Sequence, residues 1–353
     1  MARRATRRAS RVFAEGPTMT RHRWAAAGLL VACLCGGPGA VAAADPAPLG
    51  IGIEAWPYPA PVRFFDLVVA GQPCRMAYMD VPPTGPASGR TAVLLHGKNF
   101  SSDYWAGVIA HLAARGDRVL VPDQIGFNKS TKPDLDYTFD MLAANTLALL
   151  DHVGLRGPVD LVGHSTGGML AVRFARLHPE RVRRLVLEDP IGLEDYGRVI
   201  PPQTTETLAE AERRQTADSY RAFIARYFVT YPKQEQERFV EQRMRIAGSG
   251  EFDRWVKASA ETYQMIYRHP VRDDYRALAM PVLIAVGEQD RTVVMKAYGD
   301  PARTAGMGNF PVMARDACAE VKDCRVSVIA GSGHVPHLEK PEAFSAALDA
   351  FLP

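Results

Sequence analysis

Val159-Asp160-Leu161-Val162-Gly163-His164-Ser165-Thr166-Gly167-Gly168-Met169-Leu170 is the stretch on which the reading of this chain turns. Three of its first four residues, Val159, Leu161 and Val162, are apolar as in a buried strand, and the residues after Gly167 continue as an apolar helix. Between them, Gly163-His164-Ser165-Thr166-Gly167 matches G-x-S-x-G. A serine on so tight a strand-to-helix turn leaves no room for side chains on its flanks, which is why glycine stands at both positions. The turn exposes the hydroxyl at the strand's C-terminal end, and the helix N-terminus behind it offers backbone donors to developing negative charge. A serine hydroxyl is a poor nucleophile near neutral pH. It needs an adjacent base, and the base needs a carboxylate that fixes its tautomer.

Outward from this turn, apolar runs alternate with helical patterns. Strands are expected at 62–69, 75–81, 91–95, 118–121, 159–162, 185–188, 282–286 and 326–329, and helices at 103–115, 139–153, 167–178 and 341–351. The alternation predicts an α/β fold with a mostly parallel eight-stranded sheet flanked by helices. From Pro190 to about Tyr275 the strand pattern stops. Tyr220, Phe223, Tyr227 and then Phe252, Trp255, Ser259, Tyr263, Tyr267 recur there at helical spacing, so a helical cap is expected after the sixth strand. About half of its rings should form the cap's own core and the rest an apolar wall over the serine. The domain plan is a secretion signal at 1–44, core at 45–190, cap at 191–275 and core again at 276–353, with a proline-rich arm of little regular structure at 45–61.

Two strand-end loops can complete the serine's chemistry, in the chain order Ser, acid, His. Asp290 follows the seventh strand in Gly287-Glu288-Gln289-Asp290-Arg291, and His334 follows the eighth in Gly331-Ser332-Gly333-His334. The competing acids are Glu188 and Asp189, and the competing base is His337. Oxyanion donors are expected from the backbone amides of Thr166 and of Lys98, in His96-Gly97-Lys98-Asn99-Phe100. The Lys98 side chain is expected to be solvated or salt-bridged, and His96 to be a hydrogen-bonded structural group. The cap arginines Arg213, Arg214 and Arg243 read as exposed charges, and no metal-type spacing of ligands occurs.

With 47% hydrophobic and 23% charged residues, the composition is globular. The net charge of +3 hides an asymmetry: residues 1–44 carry seven arginines against Glu15, which leaves the rest at about −3 and without a basic face for nucleic acid. Arg21-His22-Arg23, an apolar run from Trp24 to Cys35, and Ala42-Ala43-Ala44 before Asp45 have the three parts of a secretion signal, with Met19 as an alternative start. The expected location is periplasmic or secreted. Leu30-Val31-Ala32-Cys33 leaves a lipoprotein as the alternative, the one route to a membrane. In an oxidising compartment Cys318 and Cys324 could close a small loop, with Cys74 as a buried hydrophobe.

These residues resemble the α/β-hydrolase superfamily, in the cap-containing branch with esterases, meta-cleavage-product C–C hydrolases, epoxide hydrolases and haloalkane dehalogenases. The resemblance runs from about Val62 to Phe351 and includes His96-Gly97 with Trp105 downstream, Asp123-Gln124-Ile125-Gly126-Phe127-Asn128-Lys129-Ser130, and the loops of Ser165, Asp290 and His334. It implies a serine hydrolase that needs no cofactor or metal. Epoxide hydrolases and haloalkane dehalogenases of this branch carry an aspartate nucleophile, so Ser165 argues against both. The expectation is hydrolysis of a small, apolar carboxylic ester through an acyl-enzyme. The alternatives are C–C bond hydrolysis and, in a different class, a catalytically silent binding protein.

Overall fold

The computed structural model describes residues 47–352. The expected secretion signal, with Met19 and Cys33, lies outside the described residues. Eight strands form one sheet: β1 (Val62–Val69), β2 (Gln72–Val81), β3 (Thr91–Leu95), β4 (Arg118–Pro122), β5 (Val159–His164), β6 (Val182–Glu188), β7 (Val282–Gly287) and β8 (Cys324–Ile329). Their order is β1-β2-β4-β3-β5-β6-β7-β8. The β1–β2 and β2–β4 pairs are antiparallel and the rest parallel. The expected mostly parallel sheet is therefore present. β2 begins three residues before its expected start because Ala70-Gly71, both at positive φ (47° and 78°), form a two-residue hairpin turn that pairs Val69 directly with Gln72.

Helices cover both faces: α1 (Ala106–Ala114), α2 (Phe139–His152), α3 (Thr166–Leu177), α4 (Thr205–Arg213), α5 (Ala217–Ala225), α6 (Lys233–Ala247), α7 (Phe252–Arg268), α8 (Pro301–Thr304), α9 (Phe310–Cys318), α10 (Pro336–Glu339) and α11 (Pro341–Phe351). The central strands β3, β5 and β7 are buried almost throughout because successive side chains enter different cores. On β3, Val93 and Leu95 join one core and Ala92 and Leu94 the other. On β7, Val282, Ile284 and Val286 are set against Leu283 and Ala285 in the same way. Register then aligns the strand ends that carry function, with Leu95 opposite Gly163, Gly163 opposite Leu187, and Glu188 opposite Ala285.

The segment between β6 and β7 holds α4 to α7, with α4 packed on α7 and α5 on α6. α5 starts with a capping box between Thr216 and Ser219. The described part of the proline-rich arm, 47–61, has no helix or strand but is not loose: Leu49, Ile53 and Trp56 bury against Ile246 of α6, and the Leu49 amide donates to the Arg245 carbonyl at 3.0 Å. Cys318 and Cys324 form a disulfide across the α9–β8 turn, and Cys74 is free and buried. Among the described residues no helix is long and apolar enough to cross a membrane.

Candidate active site

Ser165 sits between β5 and α3 with φ 55° and ψ −117°, a conformation that a non-glycine residue keeps only where its surroundings enforce it. The Ser165 amide donates to the Glu188 carbonyl at 3.0 Å, and the Ser165 carbonyl accepts from Gly168 at 2.9 Å. A Cβ at Gly163 or Gly167 would collide with the carbonyls of Gly167 and Leu95 respectively, so the two glycines are steric requirements of the turn.

The loops after β7 and β8 converge on this serine. His334 Nε2 lies 2.9 Å from Ser165 Oγ, and its Nδ1 lies 2.7 Å from Asp290 Oδ2. A carboxylate only accepts, so Nδ1 carries the proton and Nε2 is left to receive one from the serine hydroxyl. The Thr292 amide donates to the other Asp290 oxygen at 2.8 Å. Burial pushes the Asp290 carboxyl up, but the charge and hydrogen bond of His334, with the hydrogen bonds from Asp189 and Thr292, hold it below the usual carboxylate range.

The competing groups are otherwise engaged. Glu188 and His337 pair with each other: the His337 amide donates to Glu188 Oε1 at 2.8 Å, and His337 Nδ1 lies 2.8 Å from Oε2. Asp189 accepts from the Gly287 amide at 3.0 Å and is hydrogen-bonded to Asp290. Burial, and then the charge of Asp290, push its carboxyl well above the usual range. Asp189 is therefore the protonated member of the pair and donates to ionised Asp290.

The Gly97 amide is taken by the Tyr104 hydroxyl at 3.0 Å, and the next residue, Lys98, lines a cavity together with Ser165 and Thr166. Both residues chosen for oxyanion amides thus border the space above the serine.

A family model described as alpha/beta hydrolase fold matches residues 92–341. The chain belongs to the α/β hydrolase fold family. A crystallised protein of Pseudomonas aeruginosa PAO1, described as a probable hydrolytic enzyme, is 36% identical with a TM-score of 0.83; the match covers 87% of this chain and 99% of that one. A thermophilic esterase from Thermogutta terrifontis is 25% identical with a TM-score of 0.61, over 82% of this chain and 98% of that one. A non-heme chloroperoxidase of Streptomyces lividans is 28% identical over 62% of this chain and 79% of its own length. These likenesses support a hydrolase.

In this α/β hydrolase two side chains that sequence reasoning passed over brace the site from behind. His164 Nε2 lies 2.8 Å from the His334 carbonyl, and its Nδ1 lies 3.0 Å from the Tyr104 hydroxyl. A carbonyl cannot donate, so Nε2 carries the proton and Nδ1 accepts from Tyr104. Burial, then the nearby His334 and His337, hold His164 well below its ordinary pKa and so neutral. The Lys98 loop, the serine turn and the His334 loop are thereby joined by one relay, Gly97 to Tyr104 to His164 to His334. His96 is structural, as expected: its Nε2 accepts from the Gln124 amide at 3.1 Å and its Nδ1 donates to the Gly97 carbonyl at 2.8 Å.

Above Ser165 the cavity has a volume of about 580 Å³ and an apolar wall that includes Ile191, Leu208, Phe223, Tyr227, Tyr263 and Ile266. Phe223, Tyr227 and Tyr263 are thus cap rings facing the serine, whereas Phe252 stacks on Trp255 away from it. Tyr227 also stacks on the His334 ring at 5.0 Å and accepts the His334 amide at its carbonyl (2.7 Å), which ties the cap to the histidine loop. The far wall, Val293, Val294, Met295 and Tyr298, follows Asp290 and was not singled out by sequence.

Two expectations fail. The Lys98 side chain is neither solvated nor salt-bridged: its ammonium donates to Ser259 O (2.8 Å), Ser259 Oγ (3.0 Å) and Thr262 Oγ1 (2.7 Å) on α7 and lies 4.0 Å over the Tyr263 ring. Burial pulls it down to about 8 against the opposing charge of Glu212. Arg243 is not an exposed charge but is 3% exposed inside the cap, paired with Glu212 at 3.2 Å. The Lys98 contacts set an expected outcome for Lys98→Ala: with three hydrogen bonds to α7 lost, urea unfolding should show a loss of about 2 kcal/mol. An unchanged midpoint would mean that the lysine does not hold the cap.

Proposed function

We propose that this α/β hydrolase is a serine hydrolase that cleaves carboxylic esters through an acyl-enzyme. The observation that carries this reading is the continuous hydrogen-bond line from Ser165 through His334 to Asp290, closing at 2.9 Å and 2.7 Å beneath a cavity with one apolar wall. Ser165 Oγ attacks the acyl carbonyl while His334 Nε2 takes its proton. Asp290 holds the ring in the needed tautomer and stabilises the imidazolium. The amides of Lys98 and Thr166 receive the charge that develops on the carbonyl oxygen. His334 then gives its proton to the departing alcohol, and in the second half it activates water to release the acid. The likeness to an esterase supports the bond type.

p-Nitrophenyl esters of graded acyl length, with Ser165→Ala protein as blank, test the bond. Ser165-dependent cleavage is expected, rising with acyl length as the chain fills the apolar wall. C–C hydrolysis is the second reading, favoured by the single observation that Arg243, buried inside the cap, lines a chamber with Lys98 in which the carboxylate of a diketone acid would meet a cation. Ser165-dependent cleavage confined to vinylogous 1,5-diketone acids would replace the ester reading.

We further infer export to the periplasm or beyond, from the leader sequence and from a disulfide of the kind that persists in oxidising compartments. Intact-mass measurement of protein from the native cell envelope or medium should give an N-terminus near Asp45. Lipid mass on Cys33 would make it a lipoprotein instead.

A further inference from the structure

Beside the main cavity lies a smaller chamber of about 60 Å³. Lys98, Asn99, Glu212, Gln215 and Tyr263 line both spaces, so the two adjoin, whereas Arg243 borders the smaller one. Its size suits one small polar group or a few waters.

The charges around it do not cancel. Lys98 and Arg243 are cations and Glu212 is the acid among the lining residues. Glu212 is already committed: its carbonyl and Oε2 accept from Arg243 Nη2 at 2.8 and 3.2 Å, and its Oε1 accepts from Ser259 Oγ at 3.0 Å. One positive charge is left over in a place largely removed from water. Arg243 is also short of acceptors. Its guanidinium lies 4.5 Å from the Trp255 ring and 5.0 Å from the Phe252 ring, yet Nε and Nη1 have no hydrogen-bond partner, and neither does Gln215 Oε1. A buried cation with unused N–H groups is costly unless an acceptor meets it. A carboxylate matches both the surplus of one charge and the planar guanidinium edge. A phosphate dianion would bring a second negative charge against Glu212.

We propose that this chamber is a subsite for a carboxylate carried by the substrate, bound by Arg243 with Lys98 supplying the second positive charge. The subsite deepens the ester reading and rests on it: the bond cleaved belongs to a molecule with an apolar body and one acidic end, of the half-ester or acyloxy-acid class.

Two series of probes cover the two orientations of such a molecule, monomethyl esters of C4 to C8 dicarboxylic acids and acetate esters of ω-hydroxy acids of the same lengths. Each is compared with its primary amide, which keeps the shape and loses the charge, and acid release is followed in a pH-stat. In at least one series the carboxylate should have a KM at least about tenfold below that of the amide, about 1.4 kcal/mol in binding. That ratio should collapse in Arg243→Gln. Because Arg243→Gln strands the Glu212 charge, Glu212→Gln/Arg243→Gln is made alongside it, with circular dichroism melts to verify folding. Equal KM for acid and amide in both series, or a preference that survives in either folded variant, overturns the subsite. Calorimetric binding of hexanoate and hexanamide to Ser165→Ala protein separates the two levels. Tighter, Arg243-dependent hexanoate binding without turnover of any ester would sink the ester reading and keep the subsite, and equal binding would sink the subsite whatever is hydrolysed.

Discussion

Ser165→Ala and His334→Ala should each lower kcat by about 10⁴- to 10⁶-fold, and the double variant should be little slower than either single one, because the pair acts as one unit. The geometry gives the reason. The serine's one route to losing its proton is Nε2 at 2.9 Å, and that nitrogen is an acceptor because Nδ1 is engaged at 2.7 Å by Asp290. Removing either partner abolishes the same step. Residual turnover in the variants would come from binding and the oxyanion amides. Losses that multiply in the double variant would mean that the two side chains serve separate steps.

Asp290→Asn should cost about 10⁴-fold in kcat with the fold intact, since an amide there no longer demands a proton on Nδ1 and lets the wrong tautomer prevail. Asp189→Asn should keep most of kcat. The neighbouring acid is held protonated by burial and by the charge of Asp290, so an amide can reproduce its two tasks, donating to Asp290 and accepting from the Gly287 amide. The paired substitutions separate the two aspartates, both buried within the same few ångströms of His334. A loss of more than about tenfold in Asp189→Asn, or about 1.4 kcal/mol of barrier, would show that the acid was misassigned.

Much of the candidate site's geometry was legible because it depends on local rules. Ser165 was fixed by glycines that the turn requires, and Asp290 and His334 by their places just past apolar strands whose ends the sheet must align. What stayed hidden depends on partners far along the chain. Lys98 and Arg243 are ordinary cations in sequence; that both are buried against cap helices follows from Ser259, Thr262 and Glu212, which no spacing connects to them. The bracing by His164 and Tyr104 is similarly non-local, although a histidine beside the serine in an all-buried strand could have prompted the question of what its ring nitrogens bind. α9 went unmarked because it is nine residues long, carries Pro311 in its first turn and follows Gly306 and Gly308 in a stretch that reads as loop.

The central claim is that Ser165 is the nucleophile, activated by His334. A fluorophosphonate probe reacts with such a serine by forming a stable phosphonyl ester, and digestion followed by tandem mass spectrometry locates it. The expected result is one adduct per chain, on Ser165, absent from Ser165→Ala and greatly slowed in His334→Ala. Folded wild-type protein that takes no label, or takes it on another residue, would contradict the claim.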